Sequence, residues 1–151
     1  HGLYQGDHAE VHGRNDSGTW LWIKPDNLPR RCWAAASSFD ITGDVMRVLP
    51  NQPNLPMTTF ASPPTGVQAV RNIDQVTITW DAANYIPVGD QRGYLLEIYV
   101  CQNQIYLWQA IQTNSTSITI PDGQDCGQPS NGQVRIAEKH GYTEPVLIPW
   151  P

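Results

Sequence analysis

The sequence predicts an all-β protein of two small units joined by a proline-rich linker, and three observations carry that expectation. Only 15% of the residues are charged, while Pro (13), Gly (12) and the small polar residues that build turns are plentiful. Apolar and polar residues alternate over short runs, the period of a half-buried strand. A segment at 49–66 carries Pro50, Pro53, Pro56, Pro63 and Pro64, which forbid helix and disfavour a central strand. It reads as a semi-rigid extended spacer. The expected division is a first unit at 1–48, a linker at 49–64 and a second unit at 65–151.

In the first unit, "HAEVHGRNDSGTWLWIKP" reads as strand, turn (Asn15 to Gly18) and strand, and "RRCWAAAS" and "FDITGD" continue in β-like fashion. Trp20 and Trp22 fall on one face of the second strand, Leu21 and Ile23 on the other, and one face must look outward. In the second unit, "QVTITW" puts Val76, Ile78 and Trp80 on one face. "GYLLEIYVC" puts Tyr94, Leu96, Ile98 and Val100 on one face and Leu95, Glu97 and Tyr99 opposite. Then follow "QIYLWQAIQ", with Tyr106 and Trp108 opposite Ile105, Leu107 and Ile111, and "TSITIP", "GQVRIAEK" and "TEPVLIPW". Turn clusters such as Cys-Gln-Asn, Pro-Asp-Gly and Pro-Ser-Asn-Gly separate these runs. Short strands at this spacing predict a Greek-key sandwich, with a core at Val76, Ile78, Trp80, Tyr94, Leu96 and Ile98.

A formal net charge of −5 argues against a nucleic-acid partner, which requires a basic face. No apolar run approaches a membrane span. The chain opens without an initiator Met or a signal peptide, as expected of a processed or excised product, whereas 148–151 reads as the natural close of the last strand. Three cysteines allow one intrachain disulfide, so the odd one implies an intermolecular bond, a free thiol or a missing partner. Spacings of 69 and 25 between successive cysteines match no zinc pattern.

From Pro63 onward, "PPTGVQAVRNIDQVTITWDA", "GYLLEIYV", "TSITIPD" and "GQVRIAEKHGYTEPVLI" resemble a fibronectin type III domain, with Trp80 and Tyr94 as its core tryptophan and tyrosine. The chain departs from that pattern in the sixth strand, "SNGQVRIAEKH", which lacks the usual tyrosine. On this placement Cys101 ends the third strand and Cys126 lies between the fifth and sixth. A bridge between them would tie those ends and contribute about 3 kcal/mol by loop closure. The first unit resembles the second half of a bacterial Src-homology-3-type barrel, on Val11, Gly13, Arg14, Gly18, Thr19, Trp20, Ile23, Cys32 and Trp33. The resemblance implies a missing front half that carries the partner of Cys32, and a half barrel leaves an open edge.

His1, with His8 and His12, invites a copper reading, since an amino terminus and imidazoles chelate metal. No supporting motif accompanies them, and no metal site or cofactor is assigned. Asp40, Asp44, Asp74, Asp81, Asp90, Asp122 and Asp125 are scattered beside turn formers and read as turn residues rather than as a catalytic pair. His140 reads as a strand-end residue, and Asn15-Asp16-Ser17 and Asn114-Ser115-Thr116 fit the N-glycosylation pattern. No catalytic residue is assigned. The aromatic pairs Trp20 with Trp22 and Tyr106 with Trp108 are the candidate interface or glycan-stacking residues, because such side chains offer large area with a polar handle. The expected function is a non-catalytic, secreted or cell-surface structural or adhesive bacterial protein, in one form a filament subunit, whose partners are protein subunits, itself included, or wall polysaccharide. The alternatives are a glycan- or peptidoglycan-binding module using Trp20 and Trp22, and a metal enzyme at His1.

Overall fold

The computed structural model describes residues 3–50, 55–83, 86–87 and 89–151. His1, and with it the copper reading, lies outside the described residues, as does Pro53 of the linker. The protein is all-β, 46% strand and 4% helical. It divides into two compact units, His1–Pro56 and Met57–Pro151.

The amino-terminal unit is an antiparallel sheet in the order β1 (Ala9–Arg14), β2 (Trp20–Pro25), β3 (Cys32–Ala35). Asn15 builds the β1–β2 turn: its side-chain oxygen accepts from Trp20 N at 3.0 Å and its amide donates to Thr19 Oγ1 at 2.9 Å. That committed, buried amide is unsuited to glycosylation, although Asn15-Asp16-Ser17 fits the pattern. Leu21 and Ile23 are buried while Trp20 and Trp22 are half-buried, so the tryptophans occupy the outward face. Trp22 pairs across the sheet with Trp33, ring centroids 5.4 Å apart. Segment 39–44 forms no strand, contrary to the β-like reading of "FDITGD"; short 3₁₀ turns at Ala36–Ser38 and Val45–Arg47 flank it. Arg14, only 8% exposed, fastens the following loop. Its guanidinium donates to the carbonyls of Val48 (2.8 Å), Asn15 (2.9 Å), Asp16 (2.7 Å) and Met46 (3.4 Å). A planar fork of donors suits such a ring of acceptors.

The second unit is a two-sheet sandwich. One sheet has the order β4 (Gln68–Asn72), β5 (Gln75–Thr79), β8 (Ser117–Pro121). The larger has β7 (Ile105–Thr113) beside β6 (Gln91–Gln102), then β9 (Asn131–Glu138), whose far side takes β10 (Gly141–Tyr142) and β11 (Val146–Leu147). All pairings are antiparallel. These eight strands fill seven positions, β10 and β11 sharing the one beside β9, which gives the fibronectin type III-like arrangement of the immunoglobulin-like class. Val76, Ile78, Trp80, Tyr94, Leu96, Ile98, Val100, Ile120, Val134, Ile136 and Ile148 form the buried core between the sheets. Each such aliphatic side chain contributes about 1.5–3 kcal/mol by leaving water. Trp80 packs edge-on against Tyr94 at 5.2 Å, and the Tyr94 hydroxyl accepts from Ala83 N at 2.9 Å. A bulge between Gln91 and Tyr94 bends β6 at Gly93 (φ 85°), where a Cβ would lie 2.3 Å from the Thr113 carbonyl; only glycine fits.

The boundary between the units falls inside the 49–64 stretch expected as linker, and the described residues on each side engage their own unit. Pro50 bridges Arg14, and Met57 bridges Tyr142. Met57 and the residues after it form a strap: Thr58 N donates to Tyr142 O at 2.8 Å, and the Phe60 ring lies 4.7 Å from that of His140.

Candidate interaction surface

The outward face of the larger sheet follows from the β6–β7 register. Asn103 (φ 52°) and Gln104 (φ 63°) make a two-residue turn with left-handed backbone at both positions, the type that matches strand twist. It pairs Gln102 with Ile105, Cys101 with Tyr106 and Tyr99 with Trp108. Successive side chains alternate faces, so Tyr99, Tyr106 and Trp108 share the outer one. Tyr99 is 42% exposed and Trp108 39%. The Tyr99 and Tyr106 rings stack at 5.4 Å, 13° from parallel. The Tyr106 hydroxyl donates to Pro129 O and accepts from Asn131 Nδ2, both at 3.0 Å, which fixes the ring. Beside them lies an ion pair, Arg135 Nε to Glu97 at 2.9 Å, with Gln133 donating to the same oxygen at 2.8 Å.

Of the sequence-predicted pairs, Tyr106 and Trp108 thus share a face, but Tyr106 is joined first to Tyr99, which the pairwise expectation omitted. Trp20 and Trp22 also share a face, and Trp22 is joined to Trp33. The two sets sit in different units.

On the same side of the sheet, Cys101 lies opposite Tyr106 and is disulfide-bonded to Cys126, with Cα atoms 5.7 Å apart. Asp125 lies 3.3 Å from Cys101 Sγ. Those three residues form the one metal-sized cluster among the described residues, yet both sulfurs are bound to each other and offer no thiolate. Cys32 is a half-buried free thiol in β3.

Asp122 has the largest role that the sequence concealed. Read as a turn residue, it is instead fully buried, 0% exposed. Its carboxylate accepts from Ser130 Oγ (2.5 Å), Arg71 (2.5 Å), Cys101 N (2.8 Å) and Trp150 Nε1 (2.9 Å). Burial pushes its carboxyl up, but the bonds from Ser130, Cys101, Trp150 and Arg71 outweigh that and hold it below its usual value. The group therefore ties β4, β6, the β8–β9 loop and the carboxyl-terminal segment at one end of the sandwich. His140, expected as a plain strand-end residue, places Nδ1 2.8 Å from the buried Glu138 carboxylate. Burial raises the Glu138 carboxyl, and the Thr58 hydroxyl with the His140 backbone, ring and charge draw it down further, leaving it below its ordinary value. Asp122, Glu138 and Glu97, the buried carboxylates, are thus all engaged in structural pairs.

No protein-family model matches the chain, and no curated protein matches it. Among solved structures, it is similar to titin kinase and its flanking domains at 20% identity, with TM-score 0.41, over 61% of this chain and 18% of that one. It is similar to domains A168-A170 from titin at 15% identity, with TM-score 0.40, over 96% of this chain and 50% of that one. The chain spans half or less of either neighbour's length. These likenesses are too distant to carry a functional statement, and the sandwich rests on its own strand order.

Proposed function

We propose that the chain is a non-catalytic structural and adhesive protein of an extracellular, bacterial assembly, whose sandwich meets other protein subunits. One observation carries this reading: an aromatic face, pinned at Tyr106 by Asn131 and Pro129, borders the long strand β7. Rigid Tyr and Trp side chains supply contact area at little ordering cost, the property of interface centres. The disulfide is compatible with an oxidising compartment, and among the described residues no helix is long and apolar enough to cross a membrane. The amino-terminal sheet is read as part of a Src-homology-3-like barrel, on the resemblance at Gly18–Trp20 and Cys32–Trp33. The test is sedimentation velocity over a concentration series, comparing the native chain with Tyr99→Ser/Trp108→Ser. The native chain self-associates at submillimolar concentration and the variant does so far less; a native chain that stays monomeric throughout contradicts the reading.

A second reading is favoured by the Trp22–Trp33 pair, whose half-buried rings lie on an outward sheet face. That surface suits a sugar ring of wall polysaccharide. Retention on purified peptidoglycan, abolished in Trp22→Ala, supports it; unchanged elution with unchanged tryptophan fluorescence removes it.

A further inference from the structure

Sheet edges are the places where a β-protein recruits foreign strands, and natural proteins blunt them with charge, proline, shortness or a cover. Among the described residues every sheet edge but one is blunted. In the amino-terminal unit, β1 carries Glu10, His12 and Arg14, and β3 has 4 residues. In the sandwich, β4 has 5 residues and an arginine, and β8 has 5 and ends on a proline. β10 and β11 have 2 residues each; Met57 bridges Tyr142 of the first, and Pro145 and Pro149 flank the second. β7, IYLWQAIQT, is 9 residues long, pairs only with β6, and holds no charge, proline or glycine.

The turn fixes which backbone groups are free. In a four-residue turn the first carbonyl accepts from the fourth N–H, so Ile105 N–H points to β6. Alternation then directs the amides of 107, 109, 111 and 113 to β6 and those of 106, 108, 110 and 112 away from it. The bond from Cys101 N to Asp122, on the side of β6 remote from β7, agrees with that phase.

Resting on the proposed assembly role and naming its partner, we infer that β7 pairs antiparallel with β7 of a second copy about a two-fold axis at Gln109. This register sets Trp108 against Ala110 of the second copy and Tyr106 against Gln112, the pairs whose backbone groups point outward. On the core side it sets Leu107 against Ile111, an apolar match, and Ile105 against Thr113. A chain of net charge −5 repels its own copy over most of its surface. An uncharged strand is where two copies approach without apposing like charges, and Ile105, 58% exposed, and Trp108 leave water there. The pairing joins two larger sheets into one and makes the aromatic faces of both copies continuous.

Ala110→Pro removes an outward N–H and leaves the bonds to β6 in place, which an edge strand tolerates. Gln109→Cys, in a Cys32→Ser background, places a thiol against itself across the axis. The expected result is that Ala110→Pro keeps the native melting temperature but sediments as a monomer where the native chain dimerises, and that Gln109→Cys forms a dimer under mild oxidation. If Ala110→Pro is unfolded, the thiol cross-link decides alone. A native chain that self-associates while Ala110→Pro does so equally and Gln109→Cys stays uncrosslinked overturns this pairing and leaves the assembly role standing. A native chain monomeric at every concentration overturns both.

Discussion

The two edges of the larger sheet make an instructive pair. At the β10 side the protein lays a strap over the strand: Met57 bridges Tyr142, Thr58 N bonds the Tyr142 carbonyl, and Phe60 packs on His140. The buried Glu138 carboxylate holds that cover through Thr58 and His140. At the β7 side an equivalent backbone row lies next to exposed Trp108 and Ile105, with no described residue over it. The same sheet, folded by the same core, closes one edge with a buried charge and leaves the longer edge open. That unguarded edge is where the proposed pairing is placed, because sequences that gain nothing from such an edge place lysine or proline there.

The most damaging single change is at Asp122, which anchors the end of the sandwich where β6 turns into β7. Asp122→Ala strands the Arg71 guanidinium and three other donors, and is expected to destabilise the second unit by about 3–5 kcal/mol. Denaturant unfolding followed by Trp80 fluorescence measures this. Because the folded carboxyl sits below its ordinary value of 3.8, its stabilising contribution is complete above that value and disappears as pH falls through the lower folded value. The acid limb of the native stability profile flattens in the variant. Replacing Cys101 and Cys126 by serine comes next, with a loss of about 3 kcal/mol from restored loop entropy. Both edges survive it in strong native conditions, since neither is made by the bridge.

Smaller changes sharpen the contrast between the edges. Glu138→Gln weakens the strap alone, with an expected loss of about 1–3 kcal/mol and faster hydrogen exchange at the Thr58 amide. The carboxyl is again held low, so the strap is secure above the unfolded Glu value of 4.5 and loosens as pH falls through the folded one. Trp108→Lys, on the open edge, is expected to alter monomer stability by no more than about 0.5 kcal/mol. Its effect falls on association, which a lysine set against Ala110 of the second copy, one residue from the axis, opposes.

How much of this was legible in the sequence depends on the range of the interaction. Val76, Ile78, Tyr94, Leu96 and Ile98 declare their face by simple alternation, and the structure puts them in one buried cluster. The same rule separates Leu21 and Ile23 from Trp20 and Trp22. Asp122 was hidden because Pro-Asp-Gly is a turn signature, while its partners lie 51, 28, 21 and 8 residues away. No local pattern encodes a carboxylate collecting donors from four segments. Tyr99 was recoverable in part: once Asn103-Gln104 is taken as the turn, the register places it diagonal to Tyr106. The strap was legible in part: the prolines mark 49–64 as spacer, but Met57 and Phe60 are apolar residues able to pack on a neighbour, and with Thr58 they dock on the sandwich. Edge status is a property of the assembled sheet, and its only local trace is nine consecutive residues without charge.

The open edge is tested most directly by amide hydrogen exchange along β7, resolved residue by residue in dilute and in concentrated solution. The amides of Tyr106, Trp108, Ala110 and Gln112 are expected to exchange fast when dilute and to become protected as concentration rises. Those of Leu107, Gln109 and Ile111, bonded to β6, stay protected throughout. Exchange at Trp108 and Ala110 that is indifferent to concentration, in a chain that nonetheless associates, would contradict the β7 pairing.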